Sequence, residues 1–206
     1  MAEIVYVLTN ESMEGMVKIG RTSTSVEQRI RELDNTSLPL PFQCFYAAEV
    51  SNAATVEGKL HRIFSDKRVR ANREFFRVDP NQVREAIQLA ELREVTPKVD
   101  VVVDASDVQA LKKAAANEER RSRLRFTELG VPVGAVLTFT KDPAYTCTVV
   151  SDGKVIFESE VLSPSAAALK VVRKLGYKWA AVSGSDYWMY DDETLTARRL
   201  RLEDEE

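Results

Sequence analysis

EIVYVL at residues 3–8 and MVKIG at residues 16–20 decide how the first part of the chain folds. Both are short and rich in β-branched and aromatic residues, so each reads as a strand. The polar run from Asn10 to Gly15 joins them into a hairpin. Thr22 to Ser25 then offers N-caps, and Val26, Ile30 and Leu33 recur at helical spacing, which predicts an amphipathic helix over 25–34. LPLP at 38–41 interrupts the chain before a third strand, 42–50. A second helix is expected over 52–63, with Val56, Leu60, Ile63 and Phe64 on one face. EFFRV at 74–78 reads as a short strand, and Pro80 opens a third helix, 81–93.

From residue 94 the pattern changes. EVTPKVDVVVD at 94–104 holds a proline and then a β-rich run, and 105–128 reads as a charged helix with Val108, Leu111 and Ala115 along its apolar edge. Strands follow at 135–140, 145–150 and 154–158, with Ser151-Asp152-Gly153 as the turn between the last two. Ser163 caps a helix over 164–175, and an aromatic finish runs from Trp179 to Tyr187, Trp188 and Tyr190, which reads more readily as core than as a base-stacking surface. The expected class is α+β: a small antiparallel sheet flanked by helices in a domain over 1–95, a helical linker over 96–130, a small strand-rich α+β domain over 131–202, and an acidic tail over 203–206.

Bulk composition narrows the function classes. Net charge is -3, so a uniformly basic coat is excluded, but a local patch is not. Residues 57–77 hold seven basic side chains against three acidic ones. Arg120, Arg121, Arg123 and Arg125 form a second basic cluster, but Glu118 and Glu119 beside them favour a salt-bridged, solvated helix. One histidine, His61, rules out a multi-histidine metal site, and the two isolated cysteines, Cys44 and Cys147, make neither a disulfide framework nor a zinc site. No run of apolar residues reaches the ~18 needed to span a bilayer, so the expectation is a soluble, cytoplasmic protein.

Four polar residues stand out by order and spacing: Tyr6 in the first strand, Lys18 in the second, Arg29 on the first helix and Glu57 on the second. Val5-Tyr6-Val7, followed by Lys18-Ile19-Gly20, resembles the paired strand motifs of the GIY-YIG nucleases. Arg29 within VEQRIREL matches that family's helix arginine, and Glu57 within ATVEGKLHRIF its metal-binding glutamate. LHRIF, the basic stretch to Arg73 and then EFF are similar to the phage-type branch, and the resemblance spans residues 3–93.

The resemblance implies a DNA endonuclease that uses one divalent ion, Mg²⁺ or Mn²⁺, with RNA as a further conceivable substrate. It assigns the metal to Glu57 and a phosphate contact to Arg29. Tyr6 would orient or deprotonate water, with the Lys18 ammonium favouring its phenolate. Arg21, Arg62, Lys67, Arg68, Arg70 and Arg73 become candidate nucleic-acid contacts. Where several members carry a proton-transferring side chain one turn after the arginine, this chain has Leu33. His61, one turn after Glu57, is a candidate replacement, with packing at the helix edge as the competing reading. Asn72 falls where a supporting asparagine is often found. Lys18 in place of the family's second tyrosine, together with Leu33, keeps open an alternative: a catalytically inactive nucleic-acid-binding or adaptor protein on the same fold. If the site is catalytic, Tyr6, Lys18, Arg29 and Glu57 should converge on one concave surface, and a Glu57 that faces away from Tyr6 would end that reading. The second domain resembles restriction-adenine-methylase-associated accessory domains at Asp152-Gly153, Ser163 to Ala168 and Gly176 to Trp179, which implies a part in DNA recognition.

Overall fold

In the computed structural model, residues 3–34, 38–101, 108–111, 113 and 125–205 are described. The chain divides into two compact units, 1–108 and 109–206. No helix among the described residues is long and apolar enough to cross a membrane.

The first unit is built on β1 (Ile4–Thr9), whose side chains are buried on both faces through Leu8. That explains why its sequence is apolar without interruption rather than alternating. β1 lies at the centre of a five-stranded antiparallel sheet, between β2 (Val17–Thr22) and β3 (Gln43–Val50). The outer strands are β4 (Phe75–Phe76) beside β2 and β5 (Glu91–Glu94) beside β3. On one face Ile4, Tyr6 and Leu8 pack with Val26 and Ile30 of α1 (Val26–Leu33). The opposite face, to which Val5, Val7 and Ile19 alternate, meets α2 (Ala53–Ile63) and α3 (Pro80–Gln88). Ser25 caps α1 by accepting from the Gln28 amide, Asn52 caps α2 by accepting from Thr55, and Asp79 caps α3 by accepting from Asn81.

Three expectations for this unit change. The third helix stops at Gln88, and residues 91–94 are a strand, not helix. Glu, Leu and Arg are good helix formers, but the backbone of ELRE completes the edge of the sheet against Ala48 to Val50. On α2 the buried residues are Ala53 and Leu60, while Ile63, expected on the apolar face, is 61% exposed at the last turn. The first core also takes in Val95 and Val101, so this unit runs past residue 95.

The second unit contains a six-stranded antiparallel sheet. Its strands, in sequence, are β6 (Val136–Phe139), β7 (Thr146–Ser151), β8 (Lys154–Phe157), β9 (Glu160–Leu162), β10 (Trp188–Tyr190) and β11 (Glu193–Thr194). α4 (Pro164–Lys174), capped by Ser163, packs on β8, and α5 (Leu195–Glu205) ends the chain. Tyr187 and Trp188 are buried: Phe139 stacks on Tyr187 and meets Trp188 edge-on, and the Trp188 indole N–H donates to the Pro164 carbonyl at 2.9 Å. The core reading of that cluster holds for both residues. Gly184 is needed where it sits, because a Cβ there would lie 2.4 Å from the Ser165 nitrogen.

β9, β10, β11 and α5 were not expected from the sequence. Their hairpins turn on Glu158-Ser159 and Asp191-Asp192, all four at positive φ. Tight two-residue turns of this hand normally use Asn-Gly or Asp-Gly, so Glu158-Ser159 carries no turn signal and Asp191-Asp192, which tolerates positive φ but lacks the glycine, carries a weak one. The acidic end, expected as a tail, is helical from Leu195 to Glu205. The linker helix expected over 105–128 falls mostly outside the described residues, as do Arg120, Arg121 and Arg123. Residues 108–111 are helical, but 126–130 are turn, with Thr127 donating from its amide and hydroxyl to the Asp152 carboxylate.

Candidate active site

β2 is covered by β4 only at Val17 and Lys18, so from Gly20 onward its outer edge is open. Tyr6 exploits that edge. Its register partner is Gly20, and the tyrosine ring lies across the space a side chain would fill: a Cβ at residue 20 would sit 2.6 Å from the Tyr6 hydroxyl. The glycine of the second motif therefore has a physical reason. It lets the phenol of β1 pass over β2 and reach the edge, where α1 and α2 approach from opposite faces of the sheet.

A cleft of about 440 Å³ lies there, lined by Tyr6, Arg21, Thr22, Ser23, Thr24, Arg29, Glu32, Glu57 and Glu74. Its charges are paired one to one. Arg21 donates through Nε to Glu57 at 2.9 Å, Arg29 pairs with Glu32 at 3.1 Å, and Lys18 pairs with Glu74 at 2.5 Å. Arg29 also directs its Nε at the Tyr6 hydroxyl, 3.4 Å away.

Burial dominates the Tyr6 phenol and pushes its pKa above the ordinary tyrosine value. The hydrogen bond and charge of Arg29 oppose that rise, and the carboxylates of Glu74 and Glu57 add to it. Tyr6 is thus a neutral phenol at physiological pH. For Glu74, burial alone would raise the carboxyl pKa, but the Lys18 ammonium, with help from His61 and Arg29, holds it below the usual carboxylate range.

Of the four residues singled out in the sequence, Tyr6, Arg29 and Glu57 line this cleft. Lys18 does not line it directly. It is only 7% exposed, and its nitrogen sits 5.6 Å from the centre of the Phe75 ring while it bonds Glu74. The expectation that Lys18 favours a Tyr6 phenolate is therefore corrected on both counts: the cation bonded to the phenol is Arg29, and the phenol's pKa is raised. His61 packs on Phe76 with ring centres 5.1 Å apart, and its Nε2 lies 3.1 Å from the Ile19 carbonyl, which satisfies that oxygen at the open edge of β2. That is the packing role rather than the proton-transferring one. Asn72 lies exposed in the turn 71–73, apart from the cleft lining.

Arg21 belongs to the cleft itself. Arg62, Lys67, Arg70 and Arg73 are exposed. Arg68 is half-buried, stacks over Phe76 and donates to the Arg73 carbonyl at 2.7 Å, so it braces the loop before β4. Sequence reasoning misses Glu74. In the sequence it is one more charge within the basic stretch, because a pairing across 56 positions leaves no local signal.

The donor set fits a hard divalent ion in its sparse form. Among the described residues no three His, Cys, Asp or Glu side chains gather as a metal cluster. Glu57 offers one carboxylate in a polar cleft, and an ion of the Mg²⁺ type takes its remaining ligands from water and phosphate oxygens. Arg21, half exposed, is the side chain that would have to yield.

No curated protein and no solved structure matches the chain at a significant level. Residues 3–91, which hold every residue of this cleft, match the family model described as the T5orf172 domain.

Proposed function

We propose that the first unit is a GIY-YIG-type endonuclease that hydrolyses phosphodiester bonds in DNA with the help of one Mg²⁺ or Mn²⁺ ion. The observation that carries this reading is the convergence of Tyr6, Arg29 and Glu57, distant in sequence, on one polar cleft at an open sheet edge. Glu57 would hold the ion, which supplies positive charge to the phosphate and acidifies the attacking water. Arg29 would grip a non-bridging phosphate oxygen with its planar fork, already aimed into the cleft beside Tyr6. Tyr6 would hydrogen-bond and orient the water or the phosphate. The Thr22, Ser23 and Thr24 hydroxyls line the same space and suit the flanking backbone. Exposed Arg62, Lys67, Arg70 and Arg73 would give sequence-independent affinity. The second unit would contribute substrate choice.

The test is to incubate the chain with single- and double-stranded DNA and Mg²⁺ or Mn²⁺ beside Glu57→Ala. We expect cleavage by the parent and a loss of about a hundredfold or more in the variant. Cleavage that survives the substitution would sink the assignment. One observation favours a second reading, a non-catalytic nucleic-acid-binding protein: Glu57 is already engaged by Arg21. Retained DNA binding without cleavage under any of these conditions would decide for it.

A further inference from the structure

We propose that Glu74 is a positioning residue that holds the Lys18 ammonium over the Phe75 ring, away from the cleft, and so leaves Tyr6 to work as a neutral phenol. The inference rests on the nuclease reading of the cleft for its catalytic consequence, but not for its geometry.

Lys18 and Tyr6 share one face of the sheet. In the β1–β2 register Lys18 lies opposite Leu8 and Gly20 lies opposite Tyr6, so Lys18 and Tyr6 are diagonal neighbours. A diagonal pair on adjacent strands is within reach of a long side chain. The lysine instead runs toward β4. Its nitrogen is 2.5 Å from Glu74 Oε2 and lies over the Phe75 ring.

Glu74 is fixed for this task by its backbone, because its carbonyl accepts the Ile19 amide at 3.1 Å. That bond locks residue 74 beside the strand that carries Lys18. The ammonium is buried, so it needs a carboxylate partner, and the loss of that partner would leave a nearly enclosed charge to find another acceptor. The Tyr6 hydroxyl, on the diagonal of the same sheet face, is such an acceptor.

Arg29, Glu74 and Glu57 act directly on the phenol, and the other charged or titratable groups on the elements around it fit the same arrangement. Lys18 and Arg21 come from β2, Arg29 and Glu32 from α1, Glu57 and His61 from α2, and Glu74 from the segment before β4. Three cations are matched to three carboxylates, and the one that also reaches the phenol, Arg29, is shared with Glu32 and is outweighed by burial and by the Glu74 and Glu57 carboxylates. A neutral phenol keeps its proton and offers it as a hydrogen bond to a phosphate or leaving-group oxygen. No bond of Tyr6 is broken in that role.

The experiment is a phenolate-absorbance titration of the full chain, with the signal of Tyr6 isolated by difference against Tyr6→Phe. In the parent the Tyr6 midpoint should lie above the ordinary ~10. Glu74→Gln should lower it by about one unit or more, because the freed ammonium now faces the phenol. Lys18→Met/Glu74→Gln should bring it back up. Lys18→Met alone leaves the Glu74 charge unpaired beside the phenol and should move the midpoint upward. That variant decides the matter if Glu74→Gln fails to fold.

An unmoved midpoint in Glu74→Gln, a drop that persists in the double variant, or no rise in Lys18→Met would each overturn the proposal. In the cleavage assay, Glu74→Gln should reduce kcat about tenfold with KM for DNA unchanged, and Glu74→Asp should restore most of it. A loss confined to KM would also overturn it. If the parent cleaves nothing, the nuclease reading fails, and the titration still decides the role of Glu74.

Discussion

Gly20 shows how closely single positions are set in this cleft. The Tyr6 ring occupies the volume of a residue-20 side chain, so Gly20→Ala forces ring and strand apart. We expect that substitution to cost about 1–3 kcal/mol in urea unfolding, as overpacking usually does, and to reduce cleavage along with it. Glu74 carries a pH dependence. Its folded pKa is depressed, so the stability it contributes is present above the unfolded value of ~4.3 and disappears as pH falls through the lower folded value. Urea midpoints measured down an acid series should therefore fall less steeply in Glu74→Gln than in the parent. Taken singly, Tyr6, Arg29 and Glu57 read as ordinary strand and helix-surface residues, and they were legible only as a set whose order and spacing resemble the GIY-YIG motifs. Glu74 was not legible, because its meaning comes from a lysine on another strand and not from its own surroundings.

At the scale of elements, α1 matters because it delivers Arg29 to the cleft, and it is only eight residues long. A helix that short depends on its cap and its packing. Ser25→Ala removes the acceptor for the Gln28 amide and should cost about 1 kcal/mol, read as a shifted urea midpoint, with a loss of cleavage as Arg29 loosens. The elements with clear periodicity or capping were readable: β1 to β3, α1, α2 and α4 appear within a residue or two of expectation. β5 was hidden by its composition, since a charged edge strand looks like a helix when only propensity is weighed. β9 and β11 were hidden by their turns. Positive φ at Glu158 and Ser159 is imposed by the sheet, not invited by those residues. Ser159→Gly should accordingly stabilise the chain by a few tenths to about 1 kcal/mol, detectable as a raised thermal midpoint.

Across the whole molecule, charge is organised against its own average. The chain carries a net charge of -3, yet Arg62, Lys67, Arg70 and Arg73 stand exposed along one short stretch of the first unit. If these side chains meet phosphates, a triple change of Arg62, Arg70 and Arg73 to Ala should weaken binding to all DNA sequences alike. It should also lower the slope of log affinity against log salt by about 0.9 for each phosphate no longer neutralised. An unchanged slope would show that the stretch is merely solvated. The division into two units was visible in the sequence as a shift from the 3–93 pattern to a strand-rich run. The boundary was not, because Val95 and Val101 return to the first core after the point where the pattern changes.

The central place of β1 has a kinetic side. This strand is bordered on both sides, and only the β2 side is local. The β1–β2 hairpin closes across a short turn and can form within ~1–10 μs. The β3 side pairs Ile4 with Glu49 and must wait for a loop of some forty residues to close. Folding of the first unit should therefore be limited by the docking of β3 rather than by the hairpin. Changes in the 10–15 turn, already closed when β3 docks, should then slow refolding and leave the unfolding rate almost unchanged, and substitutions at Ala47 or Ala48 should divide their effect between the two rates.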